Sequence, residues 1–131
     1  MIVDTSAIVA ILRDEPEADA LSEAIESARS LRVSAATYVE AAAVIDGSRS
    51  PIASRRFDDF FSEAPFVIEP VTEEQARIAR EAYRDFGKGS GHPAQLNLGD
   101  CFSYALAKMM REPILFKGQD FDWTDLTSAL K

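Results

Sequence analysis

The first twelve residues read MIVDTSAIVAIL, Met1 to Leu12, and every one except Asp4 is apolar or small and neutral. Met1–Val3 is a short β-branched apolar run, which predicts a strand. Asp4 ends it, and a helix is predicted from about Thr5 to Arg13. A strand that passes straight into a helix opens a βα unit. Such units build sheets of parallel strands with helices on their faces. The stretch also poses a chemical question, because a lone carboxylate in core-like surroundings is costly unless it finds a partner.

The rest of the chain repeats the alternation. Pro16 begins a second helix that runs to about Ala28, with acidic residues in its first turn. Leu31–Ser34 reads as a second strand. Ala36–Ile45 reads as a helix that stops at Gly47. Ser50-Pro51 is an N-cap followed by a first-turn proline, and the helix it opens carries Phe57, Phe60, Phe61 and Ala64 along one face. That aromatic face is a core face or a surface for a partner chain. Phe66–Ile68 is a third strand. Thr72 to Gln75 has the spacing of a capping box, and the helix after it places Ala79, Ala82, Tyr83 and Phe86 together. A glycine-rich loop, GKGSGHPAQLN, leads into a helix from about Gly99 to Met110. Pro113–Phe116 is a fourth strand. The predicted fold is a three-layer α/β/α sandwich with a mainly parallel central sheet, in a single domain over residues 1–131.

Composition removes several classes of function. With 131 residues, 47% of them hydrophobic, the chain has enough apolar side chain for a core of its own. Its single cysteine, Cys101, forms no intramolecular disulfide, and one histidine beside one cysteine does not make a structural zinc site. Cys101 reads as a small core residue. No apolar run reaches the roughly 20 residues of a membrane span, and residues 1–12 lack the basic start of a signal peptide. A cytoplasmic protein is expected. The glycine loop lacks the G-x-x-x-x-G-K-[ST] spacing of a phosphate-binding P-loop and follows a helix, so that reading is rejected.

Asp4 has counterparts. AATYVEAAAVI, residues 35–45, has Glu40 as its one charge, beside Ala36, Ala43 and Val44 on a helix. LNLGDCFSYALA, residues 96–107, has Asp100 as its one charge, in the first turn of a helix. Each could cap a helix or meet an arginine. Three such residues, each in an apolar segment without Lys or Arg, point instead to convergence around something positive. Oxygen-only ligands favour a hard divalent cation, Mg²⁺ or Mn²⁺. Asp4 lies at the carboxyl end of the first strand, where open α/β sheets bind ligands. The fourth strand runs into KGQDFDWTD at the same edge. Asp120 comes first there and is preferred as a fourth ligand, with Asp122 in reserve and Asp125 as a cap for the tail. Thr5 and Ser6 could donate to a carboxylate or a phosphate, or cap the first helix.

Together, MIVDTSAIVAIL, the helical Glu40, YRDFGKGSGHPAQLNLGDCFSYALA and ILFKGQDFDWTDL resemble a PIN domain, and in particular the VapC ribonuclease toxins of toxin–antitoxin pairs. The resemblance spans Met1 to about Leu126. It is carried most specifically by Gly87-Lys88-Gly89, His92-Pro93-Ala94, Leu96-Asn97 and Gly99-Asp100-Cys101. It implies a fold like that of the 5′-nucleases, with Asp4, Glu40, Asp100 and Asp120 holding one or two Mg²⁺ or Mn²⁺ ions. It also implies endoribonuclease activity, a homodimer, and inhibition by a cognate VapB-type antitoxin. With a net charge of −8 from 22 acidic and 14 basic residues, the chain must draw RNA through local groups. Lys88, His92 and Lys117 flank the acids and are the candidate phosphate contacts. A PIN module that binds RNA or protein without catalysis is the alternative. A haloacid-dehalogenase-type phosphatase would need a second Asp where Ser6 stands.

Overall fold

The computed structural model describes residues 1–130. Its elements run β1 (Ile2–Val3), α1 (Thr5–Leu12), α2 (Ala18–Ser27), β2 (Leu31–Ser34), α3 (Ala35–Asp46), α4 (Pro51–Glu63), β3 (Phe66–Glu69), α5 (Glu73–Phe86), α6 (Leu98–Met110) and β4 (Ile114–Leu115), followed by a 3₁₀ turn at Asp120–Trp123. The four strands form one sheet in the order β3-β2-β1-β4, and every pairing is parallel. Ile2 registers with Arg32 and Ile114, and Val3 with Leu115.

Adjacent residues of a strand point to opposite faces, and here they seed two cores. Ile2 and Ile114 face α5 and α6, among Ala79, Ala82, Leu96, Leu106 and Phe116. Val3 and Leu115 face α1 to α4, among Ile8, Leu21, Val33, Ala41, Ile45 and Phe57. The result is the expected sandwich. The expected aromatic face of α4 turns inward: Phe57 is buried, and Phe61 packs on Phe57, Tyr38 and Phe66 with ring centroids about 5 Å apart.

Local chemistry sets most helix starts. Asp4, Ser34, Ser50, Thr72 and Asn97 each accept a backbone N–H of the helix they precede. Two expectations shift. The second helix starts at Ala18 rather than at Pro16, after a left-handed Asp14 and a turn through Glu15. Thr72 caps Gln75, but Gln75 Oε1 is buried without a hydrogen bond, so the second half of that capping box is not made. A full box forms instead at Asn97 and Asp100.

The connectivity fixes where a site belongs. From β1 the chain builds outward through β2 and β3, then returns to lay β4 on the other side of β1. The order therefore reverses between β1 and β4. Ligand crevices of open α/β sheets lie at such a switch point, outside the carboxyl ends of the strands. Asp4 leaves β1 there, and Phe116–Asp120 leaves β4 there.

Candidate active site

Asp4 is buried and shares its burial with two hydroxyls. Its Oδ2 accepts from the Ser6 backbone N–H at 3.0 Å and from Ser6 Oγ at 2.8 Å. Its Oδ1 accepts from Ser103 Oγ at 2.6 Å, and Ser103 Oγ lies 3.1 Å from Thr37 Oγ1. Both Ser103 and Thr37 are fully buried. Burial drives the Asp4 carboxyl above its ordinary pKa; the hydrogen bonds from Ser103 and Ser6 pull the other way, and the Glu40 charge adds to the rise.

Asp100 sits in the first turn of α6, where its Oδ2 accepts the Asn97 N–H at 3.0 Å while Asn97 Oδ1 accepts the Asp100 N–H at 2.8 Å. Its pKa is pushed up to about 7, first by burial and then by the charges of Asp4, Asp120 and Glu40, against the favourable Asn97 bond. Carboxylates from three other segments thus act on Asp100.

Glu40 is half-buried on α3, and Thr5 Oγ1 donates to its Oε1 at 2.5 Å. The other side of its carboxylate rests on Gly99 in α6. A Cβ at Gly99 would lie 1.9 Å from Glu40 Oε2. Its helix neighbours Ala43 and Val44 are exposed, and α3 buries Thr37, Ala41 and Ile45. Glu40 is therefore at the rim of the crevice.

The basic candidates differ in their commitments. The Lys117 ammonium pairs with Glu15 and lies 3.5 Å from Glu17, while its backbone N–H donates to Ser6 Oγ at 3.0 Å. Lys88 is exposed in a loop pinned by Lys88 N to Leu96 O and Leu96 N to Phe86 O, both 2.9 Å, with Gly89 and Gly91 at positive φ. His92 stands edge-on to Phe86 at 4.8 Å and accepts the Ala94 N–H on Nδ1, so its neutral form carries the proton on Nε2. Asp120 is exposed at the start of the 3₁₀ turn, and Asp122 lies in the same turn. Asp125 does not cap the tail. It accepts from Tyr104 Oη at 2.7 Å and Lys108 Nζ at 2.6 Å, and so ties the segment after β4 to α6. Burial pushes the Cys101 thiol up to about 12, which suits a core residue.

Thr37, Ser103 and Gly99 were not among the sequence candidates. The signal was there in outline: Thr37 precedes Glu40 by three residues and Ser103 follows Asp100 by three, a spacing that shares a helix face.

The donor set suits a hard divalent cation. It is all oxygen, and no basic side chain figures among the influences on Asp4 or Asp100. Among the described residues, no three His, Cys, Asp or Glu side chains close into a ready metal cage.

The sequence pattern of PIN domains matches residues 1–125. The chain belongs to the PIN-domain family. A VapC ribonuclease of Mycobacterium bovis is 59% identical over 130 residues, covering 99% of this PIN domain chain and 98% of its own length. Among solved structures, VapC20 of Mycobacterium tuberculosis, described as a toxin that cleaves the sarcin–ricin loop, aligns with a TM-score of 0.75 over 96% of this chain and 95% of that one, at 15% identity. A toxin–antitoxin complex from Klebsiella pneumoniae aligns with a TM-score of 0.66 over 92% and 88%, at 19% identity. At those identities the structural likeness speaks for the fold.

The carboxylate cluster makes the stability of this PIN domain depend on pH. Asp100 ordinarily titrates near 3.8 and here near 7, so between these values the folded protein holds a proton that the unfolded chain has lost. Stability then falls as pH rises through that window. Asp4 shifts in the same direction. Without metal, the melting temperature is expected to be lower at pH 8 than at pH 5.5, and Mn²⁺ to raise it more at pH 8. Thermal melts with and without EDTA measure both; a Mn²⁺ effect independent of pH contradicts the expectation.

Proposed function

We propose that this PIN domain is a metal-dependent endoribonuclease toxin of the VapC kind, acting in the cytoplasm, as a homodimer, under the control of a cognate VapB-type antitoxin. The observation that carries the activity is that Asp4 and Glu40, from two other elements, act electrostatically on Asp100 at the switch point, with no basic residue among the influences on Asp4 and Asp100. The 59% identity to a named VapC ribonuclease supports RNA as substrate. The likeness in fold to a chain of a toxin–antitoxin complex from Klebsiella pneumoniae supports the partner. No helix among the described residues is long and apolar enough to cross a membrane.

Asp4, Asp100, Glu40 and Asp120, with Asp122 in reserve, would hold one or two Mg²⁺ or Mn²⁺ ions. When bound, such an ion activates water for phosphodiester hydrolysis and neutralises phosphoryl charge. The chain supplies the rest. Thr5 holds one oxygen of Glu40 while the other side of the carboxylate rests on Gly99, and Glu40, held in this way, would take the proton of the attacking water. The water oxygen bonds to phosphorus as the bond from phosphorus to the ribose oxygen of the departing RNA fragment breaks, and that oxygen leaves as a hydroxyl after taking a proton from solvent. Lys88 and the Nε2–H of His92, on the loop that feeds α6, would hold phosphates. Lys117 contributes less, because two glutamates already claim its ammonium.

The test is cleavage of a defined RNA by the purified protein. Cleavage is expected in Mg²⁺ or Mn²⁺, absent in EDTA, and restored when metal is returned. Turnover unaffected by EDTA overturns the metal-dependent mechanism. RNA binding without turnover in any metal favours a non-catalytic module.

A further inference from the structure

The buried hydroxyls behind Asp4 form a directed chain. An ionised carboxylate only accepts, so the single proton of Ser103 Oγ is spent on Asp4 Oδ1. Ser103 Oγ must then accept at its other contact, which makes Thr37 Oγ1 the donor at 3.1 Å. The order is Thr37 to Ser103 to Asp4, and each bond polarises the next. The chain joins three of the four carboxylate-bearing segments: Thr37 shares α3 with Glu40, Ser103 shares α6 with Asp100, and Asp4 ends β1.

The count of acceptor sites gives the chain a purpose. A carboxylate offers about four lone-pair directions. On Asp4, Ser6 takes two at Oδ2 and Ser103 takes one at Oδ1. One direction is left over, on Oδ1, the oxygen that Ser103 orients. We propose that Ser103, backed by Thr37, is a positioning residue that aims the remaining acceptor site of Asp4 at a divalent cation. The inference rests on Asp4 being a cation ligand. Neither hydroxyl touches the ion; both act through Asp4, as partners behind a ligand commonly do.

Titration of the apo protein with Mn²⁺ alone, by calorimetry, tests this without reference to turnover. Losing a partner behind a ligand costs about 10–100-fold in metal affinity. Ser103→Ala is expected to weaken Mn²⁺ binding in that range. Thr37→Val, which keeps the volume and drops the hydroxyl, is expected to weaken it by a smaller factor. Thr37→Ser is expected to bind as the parent does, a rescue that a packing role alone would not produce. Because the two hydroxyls act in series, Thr37→Val is expected to add nothing in the Ser103→Ala background. Unchanged Mn²⁺ affinity in Ser103→Ala overturns the proposal, as does a full additional loss in the double variant. Asp4→Asn separates the two levels: if it binds Mn²⁺ as the parent does, Asp4 is no ligand and the underlying reading fails first. Should Ser103→Ala not fold, Ser103→Cys, of similar volume with a weaker donor, carries the same comparison.

Discussion

Asp100→Asn is expected to abolish RNA cleavage and, at pH 8, to raise the melting temperature of the metal-free protein. The two effects have one cause. Asp100 lies beside the charges of Asp4, Asp120 and Glu40, and its carboxyl resists ionisation up to about pH 7. Asparagine removes the charge. It keeps an oxygen to accept the Asn97 N–H, so the capping box survives. The loss of a negative charge in the first turn of α6 costs some 0.3–1 kcal/mol of dipole interaction, and relief from burial and from three like charges outweighs it. The lost cleavage follows from the proposed role of Asp100 as a ligand, whose removal exceeds the roughly 10–100-fold typical of a partner one step behind. Parallel melts and cleavage assays at pH 8 decide the matter. A variant that cleaves like the parent removes Asp100 from the chemistry. A variant that melts lower assigns it to holding α6 together.

The split between stability and activity also explains what could be read from the sequence. Asp4 and Asp100 were legible because local rules put them in place. One ends an apolar β-branched run and caps the helix it precedes; the other falls in the first turn of a helix and completes the capping box with Asn97. The alternation of strands and helices was legible for the same reason, down to the N-caps at Ser50 and Thr72. Glu40 was harder. AATYVEAAAVI is apolar almost all round, so periodicity names no inner face. The face that packs runs through Thr37, and Ala43 and Val44 look outward. The tail was harder still. KGQDFDWTD offers three aspartates, and their fates depend on long-range partners. Phe121 drops into the core 5.2 Å from Phe116, Asp120 is left at the crevice, and Asp125 is claimed by Tyr104 and Lys108. The bond from Ser103 to Asp4 spans 99 positions. No spacing rule reaches that far; it exists because α6 crosses the end of β1.

Gly99→Ala carries the sharpest separation of fold from function. An added Cβ would meet Glu40 Oε2 at 1.9 Å, Cδ at 2.5 Å and Oε1 at 2.6 Å. Every one of these atoms is at the far end of a flexible side chain, so the helices need not part. The Glu40 carboxylate swings away instead and gives up its bond from Thr5. Alanine is favoured over glycine by up to about 1 kcal/mol inside a helix, less in a first turn. The variant is thus expected to melt at or slightly above the parent. Its cleavage is expected to fall about 100-fold, the scale of loss for a group displaced by roughly 1 Å from its working position. Glu40→Ala supplies the control. If Gly99 matters only because Glu40 must lie against it, Gly99→Ala adds nothing in the Glu40→Ala background. If the double variant loses a further large factor, the glycine serves the site by some other route. If Gly99→Ala alone cleaves like the parent, the reaction does not need Glu40 where the fold holds it.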